Sequence, residues 1–233
     1  GLGCMSFGGV YGETDEEESH ACLQEALVLG VDHWDVAEIY GKGRCESVIG
    51  RFLAQHRCEV SIATKAGIYT EPERHFRNDA DALRASLEGS LKRLGRDRVE
   101  LFYIHRREAQ RPVEEVTETL VGFLEEGLIG GIGFSEISPD TLRRAQSVHP
   151  VEAVQSEYSL WTRQPERGML KTCKELGVAF VPFSPVGVTP FHMADLMRQN
   201  GGDGIRAARL VQQSAQDHHL ASGRGEGIDH LVI

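Results

Sequence analysis

The chain has 233 residues, room for one sizeable hydrophobic core and too few residues for two large domains. Hydrophobic residues make up 40% and charged residues 26%, the balance of an ordinary globular protein. Thirty-five acidic side chains against 25 basic ones give a net charge of -10, which argues against nucleic acid as a partner because nothing balances a phosphate backbone. An anionic small ligand held in a local basic pocket stays compatible with that charge.

The five cysteines, Cys4, Cys22, Cys45, Cys58 and Cys173, are odd in number and have no zinc-like spacing. They read as free thiols in a reducing compartment. No apolar run approaches membrane-spanning length, and no signal peptide opens the chain. A cytoplasmic protein without a membrane partner is expected.

In chain order, residues 2–5 suit a short first strand and residues 6–13 a glycine-rich loop. Thr14 with Glu17 three residues on forms a capping-box pattern, and Cys22, Leu23, Ala26 and Leu27 continue at helical spacing as far as Gly30. Residues 31–36 predict the second strand. Residues 46–53 predict a helix with Val48, Ile49, Phe52 and Leu53 as its apolar stripe. Residues 60–64 predict the third strand, followed by a charged loop over residues 67–78. Asp79 is placed to cap the clearest helix, in which Leu83, Leu87, Leu91 and Leu94 share one face.

Residues 99–104 predict the fourth strand, and Pro112 suits the first turn of the helix that Gly127 stops. A fifth strand over residues 129–134 is followed by Ser138 and Pro139 as helix starters. A sixth strand begins at residues 153–155, a helix covers residues 170–176, and a seventh strand covers residues 178–183. After Pro190 the pattern weakens. Residues 205–218 still read as a helix, but an eighth strand is barely supplied. Regular strand-helix alternation is the mark of parallel sheet units. Seven such steps with no sign of a second domain favour one α/β domain over residues 1–233, a closed (β/α)8 TIM barrel.

Three of these runs end alike. The run at residues 34–41 carries Asp35 and Tyr40, residues 60–64 are followed by Lys65, and residues 99–104 by His105. Ionisable side chains at successive strand ends are how a barrel enzyme gathers its chemistry. Tyr40 is the natural proton donor of the group, Lys65 the charge that stabilises its anion, Asp35 the partner of Lys65, and His105 a hydrogen-bond donor to a polarised carbonyl. The structural alternative is a packed phenol, an ion pair and a strand-end histidine. No glycine-rich nucleotide fingerprint and no phosphate loop occur. His218 and His219 point apart on a helix and have no partners nearby, so no metal site is expected.

The motifs Trp34-Asp35-Val36-Ala37-Glu38-Ile39-Tyr40-Gly41, Ala63-Thr64-Lys65, Leu101-Phe102-Tyr103-Ile104-His105-Arg106 and Gly131-Ile132-Gly133-Phe134-Ser135 carry a resemblance. With Gly1-Leu2-Gly3-Cys4-Met5, Val154-Gln155-Ser156-Glu157-Tyr158 and Val181-Pro182-Phe183-Ser184-Pro185, they resemble the aldo-keto reductase family. The likeness is greatest to its bacterial and plant branch related to potassium-channel beta subunits, and it covers roughly the first 187 residues. It implies a (β/α)8 barrel that reduces aldehydes or ketones with NADPH, using Asp35, Tyr40, Lys65 and His105. It also implies cofactor contacts from Met5, Ser135, Glu136, Gln155, Tyr158, Ser184 and Gly187. Ser135 and Gln155 would meet the nicotinamide carboxamide, Tyr158 would stack on the ring, and Ser184 and Gly187 would lie by the pyrophosphate. Glu136 stands where many relatives have asparagine. The N-terminal hairpin and the C-terminal loops usual in the family have no match here. Arg206 and Arg224 are the nearest basic residues to the missing adenine segment. Two other readings remain at this point: a non-catalytic, cofactor-sensing barrel, and a barrel enzyme that forms a Schiff base through Lys65.

Overall fold

The structure is a computed structural model that describes residues 1–185. It is an α/β fold with a curled parallel sheet flanked by helices, the architecture of a (β/α)8 TIM barrel. Seven strands form the sheet in the described residues, ordered β1 (Leu2–Gly3), β2 (His33–Asp35), β3 (Ser61–Ala66), β6 (Leu101–Ile104), β7 (Ile132–Ser135), β8 (Ala153–Glu157) and β9 (Ala179–Phe183). Each neighbouring pair is parallel. The expected eighth strand and the helix at residues 205–218 lie outside the described residues, as do Gly187, Arg206, Arg224, His218 and His219.

Curling follows from one contact. Strands β2 and β8 stand four places apart in the sheet order, about 19 Å if the sheet were flat. Yet Gln155 Nε2 on β8 donates to Asp35 Oδ2 on β2 at 2.9 Å. The concave side is lined by small residues, Ala63, Gly133, Ala153 and Ala179, around the ring of Tyr103. A methyl group on Gly133 would lie 2.4 Å from Tyr103 Cδ1, so that position holds no side chain.

The convex side meets the helices, which are α1 (Glu16–Val28), α2 (Arg44–Gln55), α3 (Ala80–Leu94), α4 (Val113–Glu125), α5 (Pro139–Val148) and α6 (Met169–Leu176). Trp34 of β2 meets Phe52 of α2 edge-on at 5.7 Å, and Phe102 of β6 meets Phe123 of α4 at 6.4 Å. Strand alternation thus divides each strand into an outward apolar set and an inward set that holds the chemistry.

Most boundaries follow the sequence pattern. Asp79 accepts from Ala82 N at 3.0 Å and Ser138 from Thr141 N at 3.1 Å, as their positions predict. The cap of α1 is different, because Asp15 rather than Thr14 accepts the Glu18 amide, at 2.7 Å. Its carboxylate is the stronger acceptor for an exposed helix amide, and Thr14 turns to Ser19 instead. Residues 67–78 also differ from the expected loop. They contain an antiparallel pair, β4 (Ile68–Tyr69) with β5 (His75–Phe76), which stands directly after β3. The Tyr69 and His75 rings stack across it at 5.5 Å. Two-residue strands carry too little alternation to register as a period in the sequence.

Candidate active site

The four strand-end residues converge. Asp35 ends β2, Lys65 lies in β3, and His105 directly follows β6, all toward the carboxyl ends of their strands. The turn carrying Tyr40 is closed by Tyr40 N to Ala37 O at 3.0 Å and by Cys45 N to Tyr40 O at 3.3 Å. It rests on β3 through Glu38 N to Lys65 O at 3.1 Å. The glycine-rich first loop abuts it, since a methyl group on Gly8 would fall 2.7 Å from the Tyr40 carbonyl carbon. Gly41 takes φ +62°, a left-handed value that a bulkier residue adopts at a cost.

Lys65 is fully buried and all three of its ammonium protons have acceptors. It forms a short ion pair with Asp35 Oδ1 and donates to Val36 O at 3.0 Å and to Tyr40 Oη at 3.5 Å. Burial opposes its charge, but Asp35 and Tyr40 more than offset that, so its pKa stands above the ordinary lysine value. A protonated amine held in an ion pair is no nucleophile, which weighs against the Schiff-base reading. Burial raises the Tyr40 pKa above that of a free phenol, against the downward pull of Lys65. Tyr40 therefore carries its proton throughout the neutral range. With Lys65 donating to its oxygen, the phenol hydrogen is directed elsewhere.

His105 is edge-on to Tyr40, with ring centroids 5.8 Å apart. Burial first, then the positive charges of Lys65, Arg106 and Arg74, hold its pKa well below the usual histidine value. It is neutral, and its Nδ1 has no hydrogen-bond partner within the described residues. The site thus presents a neutral phenol and a neutral imidazole side by side, backed by a charged pair.

The expected cofactor residues divide in two. Ser135 ends β7 and is buried, and its hydroxyl accepts from Arg106 Nη1 at 3.0 Å. Gln155 is buried on β8, and its bond to Asp35 fixes the amide orientation so that Oε1 remains as an acceptor. Ser135 and Gln155 are neighbours in the β7–β8 register. A hydroxyl beside an amide carbonyl is a donor and acceptor set that suits a carboxamide.

The other expected contacts have local engagements. Glu136, at φ +54°, accepts from Glu157 N at 2.7 Å. Tyr158 gives its hydroxyl to Glu166 at 2.8 Å and meets Phe180 edge-on at 5.9 Å. Met5 opens a 3-10 turn over Met5–Gly8, and Ser184 follows β9 with φ +52°. Phe183, at the end of β9 beside Glu157 in the register, continues the inward alternation of Ala179 and Val181. It is a second aromatic at this end of the sheet that the sequence reading did not single out.

Other supporting residues also went unread. Tyr103 lies two residues before His105 on the same strand face, and Lys65 Nζ stands 5.9 Å from its ring. A period of two from a known site residue was the available signal. Glu46 is wholly buried, accepts from Thr64 Oγ1 at 2.6 Å and from Arg93 Nε at 2.7 Å, and so braces the strand that carries Lys65. Its signal was an acidic residue among Cys45, Val48, Ile49 and Phe52 on the apolar face of α2. Within the described residues no cluster of metal-ligating side chains occurs, and no helix is long and apolar enough to cross a membrane.

Comparison with known proteins bears on this geometry. A probable aldo-keto reductase 1 of Glycine max is 39% identical over 191 residues, which cover 80% of this chain and 55% of that protein. An aldo-keto reductase of Schizosaccharomyces pombe, yakc [NADP(+)], is 40% identical over 195 residues, covering 80% and 57%. The chain thus spans somewhat more than half the length of these curated relatives. Among solved structures, the thermostable aldo-keto reductase Tm1743 in complex with the inhibitor epalrestat superposes with a TM-score of 0.72 at 31% identity. It covers 88% of this chain and 77% of that one. The profile of the Aldo/keto reductase family matches residues 1–218, nearly the full length, and the chain belongs to that family.

Proposed function

We propose that this protein is an NADPH-dependent carbonyl reductase in which Tyr40 protonates the carbonyl oxygen of an aldehyde or ketone. The observation that carries the reading is the chain of contacts from Asp35 through Lys65 to the Tyr40 hydroxyl, beside a neutral His105. When bound, NADPH supplies the hydride. Ser135 and Gln155 would hold its carboxamide, with Tyr158 or Phe183 against the ring and Met5, Glu136, Ser184 and Gly187 as further contacts. The phosphorylated form of the cofactor is favoured because the fission-yeast relative is named for NADP(+).

Negative charge arriving on the substrate oxygen is met by the Tyr40 proton. The ammonium of Lys65 lowers the cost of the phenolate left behind, and Asp35 keeps that ammonium in place. His105 orients the carbonyl without competing for the proton. Within the family, the sequence motifs favour the branch related to potassium-channel beta subunits. We read residues 1–233 as one barrel domain acting on a small carbonyl substrate, in the cytoplasm and without a nucleic-acid or membrane partner. The five free cysteines support the reducing compartment.

Tyr40→Phe removes only the hydroxyl and tests the assignment. Single-turnover oxidation of NADPH by an aromatic aldehyde should slow about 100-fold or more, the scale of a lost general acid, while cofactor affinity stays the same. Single turnover is the right measurement because cofactor release masks chemical steps in the steady state. An unchanged rate would move the proton to His105. Tight NADPH binding with no turnover in the parent protein would return the cofactor-sensing reading.

A further inference from the structure

Two arginines near the site form no ion pair among the described residues, unlike their neighbours. Arg106 directly follows His105. Its Nη1 donates to His105 O at 2.6 Å and to Ser135 Oγ at 3.0 Å, which roots the guanidinium between the His105 carbonyl and the end of β7. Arg74 lies on the hairpin just before β5, with its guanidinium 5.9 Å from the Phe76 ring. The hairpin is tied over the loop after β6 by Asn78, which is buried. Asn78 Nδ2 donates to Arg106 O at 3.2 Å, Asn78 N to Glu108 Oε2 at 2.8 Å, and Asn78 Oδ1 accepts from Glu108 N at 2.7 Å. This tether holds the hairpin that carries Arg74 against the loop that Arg106 opens, and the charges of both arginines bear on His105.

Lys42, Arg77 and Arg111 nearby are each ion-paired, with Glu71, Asp79 and Glu108. Arg107 gives Nη2 to Arg111 O. Neither Arg74 nor Arg106 has a carboxylate within 4.0 Å among the described residues. Glu136 is the acidic group whose field Arg106 feels, and one of its oxygens is already taken by Glu157 N. Burial and the positive charge of Arg74 make the Arg106 guanidinium easier to deprotonate than a free one. Two cations that have no ion pair among the described residues stand near a buried imidazole and repel one another, in a chain with a net charge of -10. An anion between them would remove that cost, and the planar fork of arginine suits a carboxylate.

We infer that Arg74 and Arg106 recognise an anionic group on the substrate, and that the preferred substrates are carbonyl compounds bearing a carboxylate away from the reacting carbon. The inference rests on the reductase reading, because it places the carbonyl between Tyr40 and His105 and the carboxylate at the hairpin.

The test compares para- and meta-formylbenzoate with their methyl esters in the full chain with NADPH. At least one acid should exceed its ester in kcat/KM by about tenfold or more, the scale of one charge-assisted contact. The difference should lie in KM and shrink with added salt. Arg74→Ala should lower the acid-to-ester ratio at least about fivefold, and Arg74→Lys should restore part of it. Calorimetry with the unreactive alcohol para-(hydroxymethyl)benzoate on NADPH-saturated protein reads the same contact without turnover. Binding to the parent protein and its loss in Arg74→Ala would support the pair even if no aldehyde were reduced, in which case the reductase reading alone would fail.

Esters reduced as well as acids, or a ratio unmoved in Arg74→Ala, would overturn the inference and leave the reductase reading standing. Weakened NADPH binding in Arg74→Ala with an unmoved ratio would assign the anion to the cofactor and overturn it equally. No binding of the benzoate to the parent protein, together with no turnover of the acids, would also end it.

Discussion

At the scale of single residues, titration behaviour separates the site into two pH regimes. Burial lowers the pKa of His105 and of His33, whose Nε2 has no partner within the described residues. A histidine with a lowered folded pKa binds fewer protons folded than unfolded. Stability from this source is present above pH about 6.5 and is lost as pH falls below it. The urea midpoint should therefore drop between pH 7 and 5, and His105→Asn should flatten the drop. Lys65 and Tyr40 have raised values and act in the opposite direction. Their contribution is intact below pH about 10 and is lost as pH rises through their folded values. Denaturation series across both limbs check the signs, and an acid limb unchanged in His105→Asn would contradict the burial of a neutral imidazole. The sequence made Asp35, Lys65 and His105 legible because each closes an apolar run, and Tyr40 because it follows Asp35 in the loop that the first of those runs opens. It did not make legible that the Tyr40 pKa would go up, since burial depends on how tightly the barrel mouth closes around the ring.

At the scale of elements, two contacts decide how firmly β3 and β6 are held. The Tyr103 ring lies over the bare Cα of Gly133 on the next strand. Gly133→Ala forces a buried ring to move and should cost about 1–3 kcal/mol, the usual range for overpacking a filled core, read from urea unfolding with an unchanged m-value. The second contact is the ion pair of Glu46 on α2 with Arg93 on α3, 2.7 Å long, with Glu46 wholly buried. Arg93→Leu leaves that carboxylate uncompensated and should cost about 3 kcal/mol. The double variant Glu46→Leu with Arg93→Leu should recover most of the loss. Additive losses in the double-mutant cycle would show that the two residues act independently. The helices were legible here because leucines every three or four residues record which face is buried and glycines such as Gly127 and Gly177 record where a helix stops. The hairpin after β3 was not, because its form depends on Asn78 reaching a loop thirty positions away.

At the scale of the whole molecule, the closed barrel was readable from the regular alternation of strand and helix, while the contacts that curl the sheet were not. Curvature needs small inward residues on several strands at matched heights, a relation between distant positions that one sequence does not display. Cofactor binding across the strand ends should stabilise the whole fold. At 100 times its dissociation constant NADPH would add about 2.7 kcal/mol, seen as a rise in Tm that grows with cofactor concentration and is smaller for NADH. No rise with either nucleotide would contradict the cofactor reading. The hairpin over residues 67–78 bears on redesign. It enters and leaves the barrel within a few residues, with Arg77 N bonded to Gly67 O at 3.2 Å, and Asn78 is its buried latch on the neighbouring loop. Such a segment is an exchangeable cassette. Residues 68–76 can be replaced by other lengths and charges, while Gly67, Asn78 and Glu108 are kept as the socket. A library built there would vary what the mouth admits without disturbing the strands that carry Asp35, Lys65 and His105.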